Sequence, residues 1–314
     1  TRTSAQPPRA LAQPSDEDTD LVAATVILAR DSANGPEVLL IERPNRGSFA
    51  GAWVFPGGKL DPEDADGFDG EPTEVGVARR AGVREAWEET GLVTNEGDYV
   101  TFSCWVPPAM IAHRRIRTWF FVAPAPEGDL VLSEAEAVDA RWIRPEDAID
   151  LHTKDEFSLF PPTWVTLADL TGFADAAAMI AASRASEPRQ FKSRSLSAQK
   201  ALLWEGDGAY ETALDATPRP DSETTDRNRL DMSVTPWVLQ RVGASARAWP
   251  AASRLFGEQP PYSASSRSRC AATSGISIKN PSWPKSLVIT AARSPSSVLR
   301  IPRAIWCCPS TGNS

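Results

Sequence analysis

An α/β/α sandwich around a mixed sheet is the fold this sequence predicts. Three observations carry the prediction: short β-rich runs on both sides of one long helix, a second helix opened by proline, and an apolar-periodic segment beyond it. The ordered chain is expected to begin at Leu21-Val22-Ala23-Ala24-Thr25-Val26-Ile27-Leu28, a β-rich run. Glu37 to Glu42 follows after an Asn-Gly-Pro turn, so the two runs read as a hairpin-like pair. Trp53-Val54-Phe55 is a third short strand. A helix is predicted from about Glu74 to Thr90, with Thr73 as N-cap and Gly91 at its end. Ala81, Gly82 and Ala86 are small enough to let that helix approach a sheet closely. Strands are predicted at Tyr99 to Val106, Arg117 to Ala123 and Ala140 to Ile143. Residues 116 to 122, mixing β-branched and aromatic side chains, have the composition of a central strand. Pro145 starts a short helix.

These elements place the main domain at residues 19–152. Residues 153–243 read as a helical extension packed on the core, because Val165, Leu167, Leu170, Phe173, Ala177 and Ile180 recur at helical spacing. Residues 1–18, rich in Pro, Ser, Gln and Ala, read as a disordered lead-in. Residues 1–243 hold 24 basic and 40 acidic residues, whereas 244–314 hold nine basic and one acidic. That last segment is crowded with Ser, Ala, Arg and Pro without a sustained period, and is expected to contribute no fold.

With 41 acidic against 33 basic residues in 314, the net charge is −8. That balance argues against a nucleic-acid backbone as partner, since phosphate contacts need clustered Lys and Arg. No apolar run is long enough to cross a bilayer and no secretory signal is seen, so no membrane partner and a cytoplasmic location are expected. Cys104, Cys270, Cys307 and Cys308 lack metal-ligand spacing, and Cys104 reads as a buried strand residue. There is no Gly-x-Ser-x-Gly elbow, no Walker-type loop and no cysteine with a nearby histidine, so covalent catalysis has no support.

The chemistry concentrates in Arg84-Glu85-Ala86-Trp87-Glu88-Glu89-Thr90-Gly91-Leu92. Glu85, Glu88 and Glu89 are spaced i, i+3, i+4 and share one helix face. Three carboxylates so close repel one another unless a cation sits among them. Oxygen-only ligands select a hard ion, Mg²⁺ or Mn²⁺, which leaves open positions for water and for diphosphate oxygens.

This stretch resembles the second half of the Nudix box, Arg-Glu-apolar-x-Glu-Glu-x-Gly-apolar, at all nine positions. Phe55-Pro56-Gly57-Gly58-Lys59-Leu60 resembles the strand and glycine turn that open the box. The spacing between the halves departs from the family. Counting from Gly58, Asp64 falls where the family has a glutamate, and the arginine comes twelve residues late. Either a loop of roughly Asp64 to Glu74 is inserted or the first acidic residue is lost. A split box, together with Leu39-Leu40-Ile41-Glu42-Arg43-Pro44, resembles the coenzyme A diphosphatase branch.

The resemblance implies the sandwich fold and a hydrolase of small-molecule nucleoside diphosphate derivatives, CoA or acyl-CoA first, with ADP-ribose or a dinucleotide as the alternative. It assigns Glu85, Glu88, Glu89 and Gly58 to the metal. Glu88, Glu89 and Glu136 are the catalytic candidates, Glu136 because its loop precedes the last sheet strand, and Arg84 is the organiser that anchors a box carboxylate through a bidentate pair. Arg114, Arg115, Trp53 and Trp119 are substrate candidates: arginines for phosphates, tryptophans for a base, although the core is the more expected place for both tryptophans. His113 stands alone, and His152 at a helix end is expected to have no catalytic part. A non-catalytic nucleotide sensor of the same fold is the competing class, weakened because all three box glutamates are present. The reading allows a homodimer.

Overall fold

A computed structural model describes residues 21–46, 49–108, 115–133, 135–214 and 226–243 of the chain. All lie in the first of two compact units, Thr1–Pro261; the second, Tyr262–Ser314, lies outside the described residues, as do the expected lead-in and basic segment.

In chain order the strands and helices are β1 (Leu21–Ser32), β2 (Gly35–Glu42), β3 (Trp53–Val54), β4 (Gly57–Lys59), α1 (Glu74–Thr90), β5 (Val100–Val106), β6 (Ile116–Pro124), β7 (Asp139–Ile143), α2 (Pro145–Thr153), α3 (Pro161–Asp169), α4 (Ala176–Arg184), β8 (Arg189–Lys192), β9 (Arg194–Leu196), β10 (Ala201–Leu203), β11 (Arg227–Asp231) and β12 (Val238–Val242). The main sheet is mixed and runs β3-β2-β1-β6-β5-β8, with β4 paired to β1 and β7 to β2. β1 and β2 form the expected antiparallel hairpin, from Ala29 opposite Val38 to Ser32 opposite Gly35. β6 is central: it runs parallel to β1 from Leu21 opposite Ile116 to Ala29 opposite Pro124, and antiparallel to β5.

Alternation along β1 divides the two sides of the sheet. Ala24, Val26 and Leu28 join Leu39 and Phe121 under the alanines of α1, whereas Ile27 and Ala29 join Val38, Leu40 and Phe120 in the larger core that takes in Trp164, Val165 and Leu167 of α3 and Met179 of α4. Burying a side chain of this size contributes about 1.5–3 kcal/mol. The strand alternation therefore commits each residue to one layer.

α1 lies close to the sheet because its inner face is small. Ala78, Ala81 and Ala86 are fully buried, and a Cβ on Gly82 would meet Val26 Cγ2 at 2.9 Å. Thr73 caps the helix by accepting from Gly76 N, and Gly91 ends it at φ 73°, its N–H donating to Trp87 O.

The segment 153–243 is helical as far as Arg184, in α3 and α4. Beyond that the expectation of helix is corrected: Arg189–Lys192 adds β8 to the main sheet parallel to β5, and β9 to β12 make a second, four-stranded antiparallel sheet. The reason is packing that spacing alone does not reveal. Phe191, the one buried residue of β8, stacks on Trp105 with centroids 4.0 Å apart, and Trp204 packs edge-on against both rings. Asp169 at the end of α3 is buried and pairs with Arg189 of β8 at 2.8 Å and with Arg241 of β12.

Candidate active site

The site forms where the C-terminal half of α1, the turn at β4 and the loop before β7 meet. Glu85 and Glu89 occupy successive turns of the buried face of α1. Ser133 N donates to Glu89 O, and Glu136 N and Ala137 N both donate to Ser133 O, so the loop carrying Glu136 hangs from the end of the helix. One carboxylate oxygen each from Glu85, Glu89 and Glu136 lies within 4.8 Å of the others. Glu88 is turned outwards instead and accepts from Arg84 Nη1 at 2.9 Å. The i, i+3, i+4 face therefore splits, with the loop glutamate completing the cluster.

Arg84 holds several groups at once. Its Nε and Nη2 fork onto Asp64 at 3.1 and 3.0 Å, Nη1 reaches Glu85, and Nη2 also donates to Lys59 O. The Asp64 hydrogen bond, aided by the charges of Glu85 and Asp64, holds the guanidinium above its ordinary value against the cost of burial. Asp64 sits in a single 3-10 turn, Pro62–Ala65, and is itself buried. The residues that follow Asp64 fold back so that Phe68 lies under the Arg80 guanidinium.

Arg43, which sequence reasoning did not single out, places Nη1 2.6 Å from Glu89 Oε1, while Gly57 N donates to Oε2 at 2.7 Å. Glu89 is fully buried, and burial pushes its carboxyl up to about 8 despite both contacts. Burial likewise raises Glu85, against the pull of Arg84. Gly58 is needed for space: a Cβ there would stand 2.3 Å from Glu85 Oε1. Three crowded, partly desolvated carboxylates with oxygen-only donors fit a hard divalent cation, whose charge would offset the burial cost.

The other sequence candidates are distributed differently. Trp53 is a core residue, 4% exposed and stacked on Phe157 at 4.2 Å. Trp119 is half-buried and donates its indole N–H to Glu74, which also holds Arg117. Trp53 is thus committed to the core and the Trp119 indole N–H to Glu74. Arg115 is buried. Arg114 and His113 lie outside the described residues. His152 Nδ1 sits 3.1 Å from Phe157 O and its ring packs edge-on against Trp237, a structural setting. Cys104 is a buried strand residue with its thiol pushed up to about 12 by burial. Among the described residues no helix is long and apolar enough to cross a membrane.

A helix-borne pair of carboxylates joined by a third from a loop, on a mixed α/β sandwich, is the architecture of a Nudix domain. The Nudix domain family matches residues 20–163. CTP pyrophosphohydrolase of Escherichia coli (strain K12) is 32% identical over 130 residues, which cover 41% of this chain and 78% of that protein. The chain belongs to the Nudix family and is a Nudix hydrolase. Solved structures similar to it include a Nudix hydrolase from Alicyclobacillus acidocaldarius (23% identity, TM-score 0.46, covering 52% of this chain and 97% of that one). Another is the Nudix domain of Shewanella oneidensis NrtR complexed with ADP ribose (17% identity, TM-score 0.38, 49% and 88% covered).

Proposed function

We propose that this hydrolase cleaves the diphosphate of CoA or an acyl-CoA, giving 3′,5′-ADP and a phosphopantetheine product. The observation that carries the chemistry is the Glu85, Glu89 and Glu136 cluster with carboxylate oxygens within 4.8 Å, held between Arg43 and Arg84. The choice of CoA rests on the split box and on the Leu39 to Gly58 stretch.

In this reading Glu85 and Glu89 hold the cation, and Glu136, the cluster member carried by a loop, accepts the proton of the attacking water. Bound Mg²⁺ or Mn²⁺ supplies charge compensation for the phosphoryl oxygens and acidifies the water. Arg84 and Arg43 are positioning residues: each fixes the rotamer of a cluster carboxylate by hydrogen bonding. Gly58 keeps the space open.

The likeness to a CTP pyrophosphohydrolase favours a second reading, hydrolysis of a nucleoside triphosphate. Comparing kcat/KM for CoA, ADP-ribose, NADH and CTP with Mg²⁺ decides between them. CoA should lead; a tenfold preference for any other member rejects the CoA assignment and leaves the phosphoanhydride chemistry standing. Binding without phosphate-bearing products across the panel would indicate a sensor.

A further inference from the structure

Trp53 and Trp119 are committed elsewhere, and Trp87, 57% exposed, lies with Glu88 on the exposed side of α1; Phe49 and Phe160 are two further rings that face solvent. Phe49 is 51% exposed and Phe160 38% exposed, and their rings meet edge to face with centroids 4.7 Å apart. Phe49 also has φ 60°, in the left-handed region that bulky side chains rarely occupy. A large apolar side chain that is both exposed and in a sparsely populated conformation points to a functional contact.

Its position relates it to the carboxylates. Ala52 N donates to Phe49 O, Arg43 N to Ala52 O and Gly51 N to Arg43 O, so Phe49 sits on the turn whose base is Arg43. Arg43 in turn holds Glu89. From the same turn, Arg46 Nη2 donates to Ala135 O, next to Glu136 in the chain. The turn thus touches both the helix and the loop that supply the cluster. Phe160 stands at the N-terminus of α3, and Trp53 N donates to Ser158 O, which fixes that segment alongside the turn.

We propose that Phe49, braced by Phe160, is the platform on which the nucleobase of the substrate stacks. The inference rests on the diphosphatase reading and extends it to the base end of the substrate. Every base presents a π face, so an exposed aromatic ring binds purines and pyrimidines with little demand on identity. The edge-to-face contact keeps the Phe49 ring from collapsing onto the protein. Arg46, exposed on the same turn, adds a cation beside the phosphates.

The test compares wild type with Phe49→Ala, Phe49→Leu, Phe49→Trp and Phe49→Gly. The substrates are CoA and ADP-ribose, which carry a base, and 5-phosphoribosyl 1-diphosphate, which does not. Phe49→Ala should raise KM for the base-bearing substrates about tenfold or more with kcat little changed, and leave the base-free diphosphate untouched. Phe49→Trp should retain wild-type KM, and Phe49→Leu should not. Phe49→Gly should melt at a higher temperature than wild type while showing the same KM defect. A KM for CoA and ADP-ribose within about twofold of wild type in folded Phe49→Ala, or an equal loss on the base-free substrate, overturns the platform. Calorimetric titration with ADP and Mg²⁺ separates the two readings when no substrate is turned over. Weaker ADP binding by Phe49→Ala then keeps the platform and removes the hydrolase reading. Equal affinity overturns the platform, and no ADP binding by wild type overturns both.

Discussion

Arg43 Nη1 lies 2.6 Å from Glu89 Oε1, tying the turn before β3 to the last turn of α1. Glu89 is fully buried, so this pair, with the Gly57 N–H on the other oxygen, is what the carboxylate receives in exchange for its lost water. Both contacts pull the carboxyl down, but burial outweighs them and pushes it up. One cation and one amide do not compensate burial among neighbouring carboxylates.

The first prediction concerns the glutamates. Glu89→Gln and Glu85→Gln should each lower kcat on the order of 100-fold or more at saturating Mg²⁺, with the fold retained, since each removes charge from the cluster but little volume. Glu88→Gln should be milder, because Glu88 faces Arg84 outside the cluster. Steady-state kinetics with circular dichroism as a fold control checks the order. A Glu88 defect as deep as that of Glu89 would show that the outward rotamer is not the working one.

A second prediction is a pH dependence of stability in protein stripped of metal. The folded carboxyl of Glu89 sits near 8 while the unfolded one is ordinary, so the native state binds the extra proton between about pH 4.5 and 8. Its contribution to stability is fully present below the unfolded value and is lost as pH rises through the folded one. Chemical denaturation in EDTA should show this decline, and added Mg²⁺ should reverse most of it at pH 8 because the cation binds the ionised native site. Flat profiles with and without the cation would contradict it.

Gly58→Ala should abolish most activity while leaving secondary structure intact. The new Cβ would stand 2.3 Å from Glu85 Oε1, and the longer glutamate side chain is the partner that yields. The loss should appear as weaker activation by Mg²⁺, measured by the concentration giving half-maximal rate. Unchanged activation would remove Glu85 from the cluster.

Asp169→Asn should destabilise the folded chain by about 3–5 kcal/mol, the usual cost of leaving buried charge unpaired. Asp169 is 1% exposed and serves both Arg189 and Arg241, whose side chains are mostly buried. Urea unfolding measures the loss. Because the pair lies between α3 and the strands β8 and β12, kcat of the protein that remains folded should be close to wild type.

The sequence by itself determined the sandwich, the helix from Glu74 to Thr90 with both its ends, the central place of the β6 residues and the Nudix family. These follow from local rules: side-chain period, capping by Thr73, the left-handed Gly91 and a fixed spacing of glutamates along one helix. What only the tertiary structure decided is which oxygens converge. Glu85 and Glu89 find Glu136, 51 and 47 positions further along the chain, while Glu88 turns away, and no local period encodes that. The same holds for Arg43 on Glu89, for Asp64 on Arg84 at a separation of 20 residues, and for β8, whose Phe191 meets Trp105. Each depends on contacts between residues far apart in sequence, where burial and charge compensation, rather than propensity, set the geometry.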